Sequence, residues 1–126
     1  MIRPQFVDHL VWRVRDLSLT ERFYAALLGA PDHRASDSIM YQVGDTRLFF
    51  TRCHEQTAAT YDKERVGLNH FALGVRTLGE LTRIQTQLDT AGIAHSGIKI
   101  DSYGGKQFVW MDDPDGLRVE FYLRPG

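Results

Sequence analysis

His9 and His70 stand 61 residues apart, each near the start of a short apolar run, and Glu120 interrupts a third such run, LRVEFYL. Two imidazoles and one carboxylate form a donor set that suits Fe(II), Mn, Zn, Co or Ni and leaves coordination positions open for substrate. Glu120 raises the sharper question, because strands disfavour Glu and a half-buried carboxylate without a partner costs several kcal/mol, on the order of that for other desolvated polar groups. A metal centre would require all three side chains to reach one place. A lone histidine in a strand is usually a hydrogen-bonded structural residue, so the elements that carry the three decide the matter.

Those elements are duplicated. DHLVWRVRDL at 8–17 aligns with NHFALGVRTL at 69–78, placing His9 on His70, Val14 on Val75, Arg15 on Arg76 and Leu17 on Leu78. Each copy reads as a strand leading into a helix. SLTE at 18–21 and TLGE at 77–80 have the capping-box form, in which a hydroxyl and a Glu three residues later satisfy free backbone N–H groups. Helices are therefore expected near 18–28 and 78–91, with Gly29 and Gly92 as their stops. Strand-like runs follow each helix: SIMYQV and TRLFFT in the first copy, IAHSGIKI, KQFVWM and LRVEFYL in the second. Pro114–Gly116 should form the tight turn of the last hairpin. The expected class is α+β, two βαβββ modules with mixed sheets in one domain over 1–126. Module 1 spans about 1–53, a polar connector about 54–66, and module 2 about 67–126.

Strand side chains alternate with a period of two. Leu10, Trp12 and Val14 share one face of the first strand, and Phe71, Leu73 and Val75 share the equivalent face of its repeat. Both faces should cover the helices, which turns His9 and His70 the other way. In the last strand Val119, Phe121 and Leu123 take the helix side and send Glu120 to the face of the histidines. His33 lies just past the first helix, His54 opens the connector, and His95, at the start of a later strand, is a candidate proton shuttle. Cys53 is the only cysteine, which excludes an internal disulfide and a Cys-based zinc site.

Composition narrows the partners. With 126 residues, 43% hydrophobic and 25% charged, the chain is long enough to bury a core. A net charge of -1 with scattered Lys and Arg gives no footprint for nucleic acid. No stretch approaches the roughly 18 apolar residues of a membrane span, and MIRPQFVDHL lacks the apolar core of a signal peptide, so a cytoplasmic location is expected.

On DHLVWRVRDLSLTERFYAALLGA, GLNHFALGV and DDPDGLRVEFY, the chain resembles the vicinal oxygen chelate superfamily. That superfamily holds glyoxalase I, methylmalonyl-CoA epimerase, extradiol dioxygenases, fosfomycin-resistance enzymes and bleomycin-binding proteins. The resemblance implies paired βαβββ modules whose sheets curl around a cavity. It also implies a divalent ion (Fe2+, Mn2+, Zn2+ or Ni2+) on His9, His70 and Glu120, a small-molecule substrate chelating through adjacent oxygens, and a homodimer. Aligning TRLFFT with LRVEFY places Phe49 on Glu120, so a fourth ligand is missing and the chain looks like a three-ligand member. Phe49, Phe108, Trp110 and Tyr122 border the expected cavity, with Arg118 as a substrate-binding cation. VWMDDPDGLRVE is close to the end of the extradiol signature, but Asp101 or Ser102 stands near the place of its upstream His. Beside Glu120, Tyr103 and His95 are the acid–base candidates. The competing expectation is a metal-free protein of the bleomycin-sequestering kind, holding a planar ligand in the aromatic cavity.

Overall fold

The chain's helices begin where side chains satisfy the free N–H groups of a first turn. In the computed structural model, which describes residues 1–126 apart from Thr57, Thr77 and Glu80 form the expected reciprocal cap: the Thr77 hydroxyl accepts from the Glu80 N–H at 3.1 Å and Glu80 Oε1 accepts from the Thr77 N–H at 3.1 Å. The first helix is capped differently. Asp16, not Ser18, is the N-cap, its Oδ1 accepting from the Leu19 N–H at 3.1 Å. The Asp16 carboxylate, two residues upstream, takes the position, and Ser18 falls inside the helix.

Two compact units result, Met1–Ala59 and Thr60–Gly126. The first contains β1 (His9–Val14), α1 (Leu17–Leu28), β2 (His33–Arg34), β3 (Ser38–Val43) and β4 (Thr46–Arg52). Its sheet runs β1-β4-β3-β2, with β1 parallel to β4 and the other pairs antiparallel. The second contains β5 (His70–Val75), α2 (Leu78–Ala91), β6 (Lys99–Ile100), β7 (Gln107–Asp112) and β8 (Arg118–Leu123), in the order β5-β8-β7-β6. Each unit is thus βαβββ with a mixed sheet, the α+β architecture that the sequence leads one to expect. The last hairpin turns at Pro114–Gly116, the Gly116 N–H donating to Asp113 O at 2.9 Å.

The shortest strands depart from the sequence reading. β2 has only two residues and carries no alternation to detect. IAHSGIKI does not form one strand: His95 bridges Met111, and pairing resumes only at Lys99. Gly97 sits between them at φ +70, and the Ile98 N–H turns away to Gln85 Oε1 at 3.0 Å.

Each sheet buries one face under its helix. In the second unit, Leu81, Ile84 and Leu88 recur at helical spacing and are buried, as are Val109, Met111, Val119 and Phe121 on the strands. In the first, the Phe50 ring lies 4.3 Å from that of Tyr24 and 5.2 Å from that of Trp12. Tyr41 joins this sheet to the end of α1, its hydroxyl donating to Gly29 O at 2.9 Å. Among the described residues no helix is long and apolar enough to cross a membrane.

Burial, reinforced by the Glu21 carboxylate, pushes the Tyr41 hydroxyl up to about 12. Its folded value lies above the ordinary value of about 10, so its contribution to stability is complete below pH ~10 and is lost as pH rises through about 12. Tyr41→Phe should therefore flatten the fall in stability over that window, measured by denaturant unfolding at a series of alkaline pH values. Near neutral pH the same variant should cost about 1 kcal/mol through the lost hydrogen bond.

Candidate functional site

The face of the second sheet turned away from α2 is fixed by what lies beneath it. With Val119 and Phe121 buried against the helix, Arg118, Glu120 and Tyr122 must point to the opposite side. Strand register then builds rows across that face. Asp112, Arg118 and His70 form one row; Trp110, Glu120 and Ala72 form the next; Lys99, Phe108, Tyr122 and Gly74 form the third. An open depression of about 580 Å³ lies over these rows and includes His70, Glu120 and Arg118 in its lining. Phe108 and Tyr122 stack at 4.8 Å along one wall.

His70 and Glu120 face each other with His70 Nε2 3.4 Å from Glu120 Oε1. Asn69 donates its Nδ2 hydrogens to Lys63 O at 2.8 Å, which turns its Oδ1 to the histidine. His70 Nδ1 therefore carries the proton and donates to Asn69 Oδ1 at 2.7 Å. A neutral ring in that tautomer presents the lone pair of Nε2 to an acceptor-only carboxylate whose side chain is 7% exposed. Two electron pairs so opposed call for a cation between them, either a proton on Nε2 or a metal ion. The donor types and their orientation fit a divalent transition ion.

The first unit repeats the arrangement with different side chains. His9 lies on the helix-free face of its sheet beside Arg47, and Phe49 pairs with Val11 on the same face. His9 Nδ1 donates to Asp8 Oδ2 at 2.8 Å, so its Nε2 is also left outside that hydrogen bond. Where Glu120 stands in the second unit, this one has Phe49, edge-on to His9 at 6.1 Å. Among the described residues no group of three or more His, Cys, Asp or Glu is gathered that could hold a metal ion. The second unit brings two of the three expected ligands together, and the first unit presents the third on its own sheet.

The other candidates divide. Phe108, Trp110, Arg118 and Tyr122 all line the depression, and Tyr103 stands at its rim, 99% exposed. Asp101 and Ser102 also line it, at the foot of the turn that carries Tyr103. His95 lies elsewhere. It pairs with Met111, on the helix side of the sheet, and both its ring nitrogens are engaged: Nε2 donates to Asp89 Oδ1 at 2.6 Å and Nδ1 accepts from the Gly97 N–H at 2.9 Å. A shuttle role for His95 therefore has no geometry here. Burial first, then the Glu120 and Asp101 carboxylates, raise the Tyr122 hydroxyl above its ordinary range and keep it a proton donor. Three participants escaped the sequence reading: Asp8 and Asn69, which the 61-residue alignment pairs, and Lys99, whose face follows only from its register with Phe108.

The profile of the family described as the Glyoxalase/Bleomycin resistance protein/Dioxygenase superfamily matches residues 6–121. The chain is 26% identical over 133 residues to YaeR of Escherichia coli K12, covering 97% of this chain and 98% of that one. It is 37% identical over 59 residues to YwkD of Bacillus subtilis 168, covering 47% of this chain and 44% of that protein. The glyoxylase/bleomycin resistance protein/dioxygenase domain from Frankia sp. EAN1pec superposes with a TM-score of 0.78 at 20% identity, covering 96% of this chain and 98% of that one. At that identity the likeness speaks for the fold alone.

Where the His70 ring is neutral and no metal is bound, Glu120 Oε1 opposes the Nε2 lone pair and destabilises the protein. Glu120→Gln keeps the shape, removes the buried charge and lets an amide N–H donate to His70 Nε2. Without metal, this variant should be more stable than the wild type by about 1 kcal/mol, read from chelator-treated samples in denaturant. An equal or lower midpoint would show that the pair is already satisfied.

Proposed function

Since the chain belongs to the Glyoxalase/Bleomycin resistance protein/Dioxygenase superfamily, we propose that it is a divalent-metal-dependent enzyme acting on a small molecule that chelates the ion through two adjacent oxygens. The observation that carries this reading is the pair of oriented histidines. His9 and His70 occupy repeat-equivalent positions, each has Nδ1 held by an oxygen of the preceding side chain, and each leaves Nε2 free to ligate. Fixing the tautomer in this way is what metal-binding histidines require of their neighbours. The carboxylate of Glu120 opposes His70 Nε2, and with His9 these side chains would make a two-histidine, one-carboxylate donor set. His9 would come from the same chain or from a second copy.

A divalent ion so held supplies Lewis-acid stabilisation of negative charge on a chelated oxygen. The rest is done by the protein. The stacked rings of Phe108 and Tyr122 offer a flat wall against which a planar substrate can lie, and they exclude water from one side of it. The Tyr122 hydroxyl, held protonated, can donate to a substrate oxygen that gains charge. Asp101 at the rim is the acid–base group nearest in type to the one a ring-cleaving site needs, and Tyr103 stands exposed on the same turn. A homodimer belongs to this reading: β1 and β5 are edge strands, and Val7 and Val11 are each 57% exposed.

Protein purified without chelator should carry Fe, Mn, Zn or Ni. Asp8→Ala and Asn69→Ala should each weaken metal binding by roughly tenfold or more while leaving the circular dichroism spectrum intact. Oxygen uptake with catechols would select oxygenation, and turnover without uptake would select lyase, isomerase or transferase chemistry. Wild-type protein that takes up no transition metal near neutral pH would overturn the proposal in favour of a metal-free binding protein. Light scattering should show a dimer at micromolar concentration.

A further inference from the structure

Arg118 is held in a way that its counterpart in the duplicated unit is not. Arg47 occupies the equivalent position, beside His9 as Arg118 is beside His70, and its Nε donates to Gln42 Oε1 at 3.2 Å across the strand pair. The residue opposite Arg118 is Asp112, a stronger acceptor for a guanidinium than the amide of Gln42. Yet Arg118 Nε stands 3.9 Å from Asp112 Oδ1, beyond hydrogen-bond reach, and is buried with no acceptor. The guanidinium instead lies over the Trp110 ring, its Cζ 3.8 Å from the centroid. A buried donor left unpaired costs about 1–3 kcal/mol in general, and the rest of the guanidinium, on a side chain 25% exposed, lines the open depression.

Lys99 adds a second positive charge to the same depression, from the third row. Both cations stand at the lining with the carboxylates Asp101 and Glu120, and Asp112 lies 3.9 Å from Arg118 Nε without a hydrogen bond.

Resting on the metal-centre reading above, we infer that the substrate carries, besides its two adjacent oxygens, a separate anionic group of the carboxylate kind, bound by Arg118 and Lys99. The two oxygens turn to the His70 and Glu120 side, the planar body lies along Phe108 and Tyr122, and the oxyanion accepts from Arg118. The cation–π contact with Trp110 holds the guanidinium plane in place before the ligand arrives, which lowers the ordering cost of binding.

The test uses catechol and 3,4-dihydroxybenzoate, which share the chelating oxygens and ring and differ by one carboxylate. Metal-loaded protein, with its metal content measured on the same sample, is titrated with each by calorimetry. Wild type should prefer 3,4-dihydroxybenzoate by tenfold or more. Arg118→Met should bring that ratio close to one, Lys99→Met should reduce it, and Arg118→Lys should retain part of it, which separates loss of charge from loss of fold. A wild-type ratio near one on metal-loaded protein would overturn this inference and leave the metal centre standing. A protein that binds no metal would overturn the metal centre, and the inference with it.

Discussion

The burial of alternate residues of one strand beneath one helix is the constraint on which the site depends. Val119 and Phe121 pack under Leu81, Ile84 and Leu88, and each fully buried apolar side chain of this kind is worth about 1.5–3 kcal/mol. Because a strand has a period of two, that packing decides where Arg118, Glu120 and Tyr122 point, and a slip of one residue would exchange a functional face for a core. Pairing carries the decision outward: β7 sets Trp110 beside Glu120, β5 sets His70 beside Arg118, and β6 sets Lys99 beside Phe108. The core orients the strand residues of the depression, whereas Asp101, Ser102 and Tyr103 sit on a turn held by the Tyr103 N–H donating to Asp101 Oδ1.

This dependence explains how much could be read in the sequence. Faces of the long strands followed from alternation, and with them the positions of His70, Phe108, Trp110, Glu120 and Tyr122. Features set by a single hydrogen bond could not be foreseen. Asp16 rather than Ser18 caps α1, although both sit at the start of the helical pattern and both side chains can accept from a free N–H. His95 shares an apolar-flanked setting with His70, but Gly97 breaks the strand after it, and Asp89 at the end of α2 takes its Nε2. Lys99 looked like any exposed lysine, because a strand of two residues has no pattern to interpret. The orientation of His9 and His70 was half legible: the alignment placed Asp8 on Asn69, but that both would hold Nδ1 required the rotamers.

The duplicated units also act as a control on each other. They share topology and register, so differences at equivalent positions report what each unit is used for rather than what the fold demands. Both keep the histidine and a preceding oxygen acceptor. Only the second keeps a carboxylate on its last strand, where the first has Phe49, and a fold requirement for an acid there would apply to both. The same comparison separates the arginines. Arg47 Nε donates to Gln42, whereas Arg118 keeps only a 3.9 Å ion pair with Asp112 and lies over the Trp110 ring.

Small residues extend the contrast along the edge strands. The helix-free face of β1 carries Val11 and Arg13, while that of β5 carries Ala72 and Gly74, and a Cβ added at Gly74 would meet nothing within 4 Å. Bulk is absent on the β5 side of Glu120 and Tyr122, and present on the β1 side of Phe49. Strand interiors disfavour glycine, so its use in β5 sacrifices some strand stability for open space. Charge, aromatic stacking and missing side-chain volume therefore all separate the second sheet from the first. Only the oriented histidine is common to both, and the carboxylate and the stacked aromatic wall belong to the second unit alone.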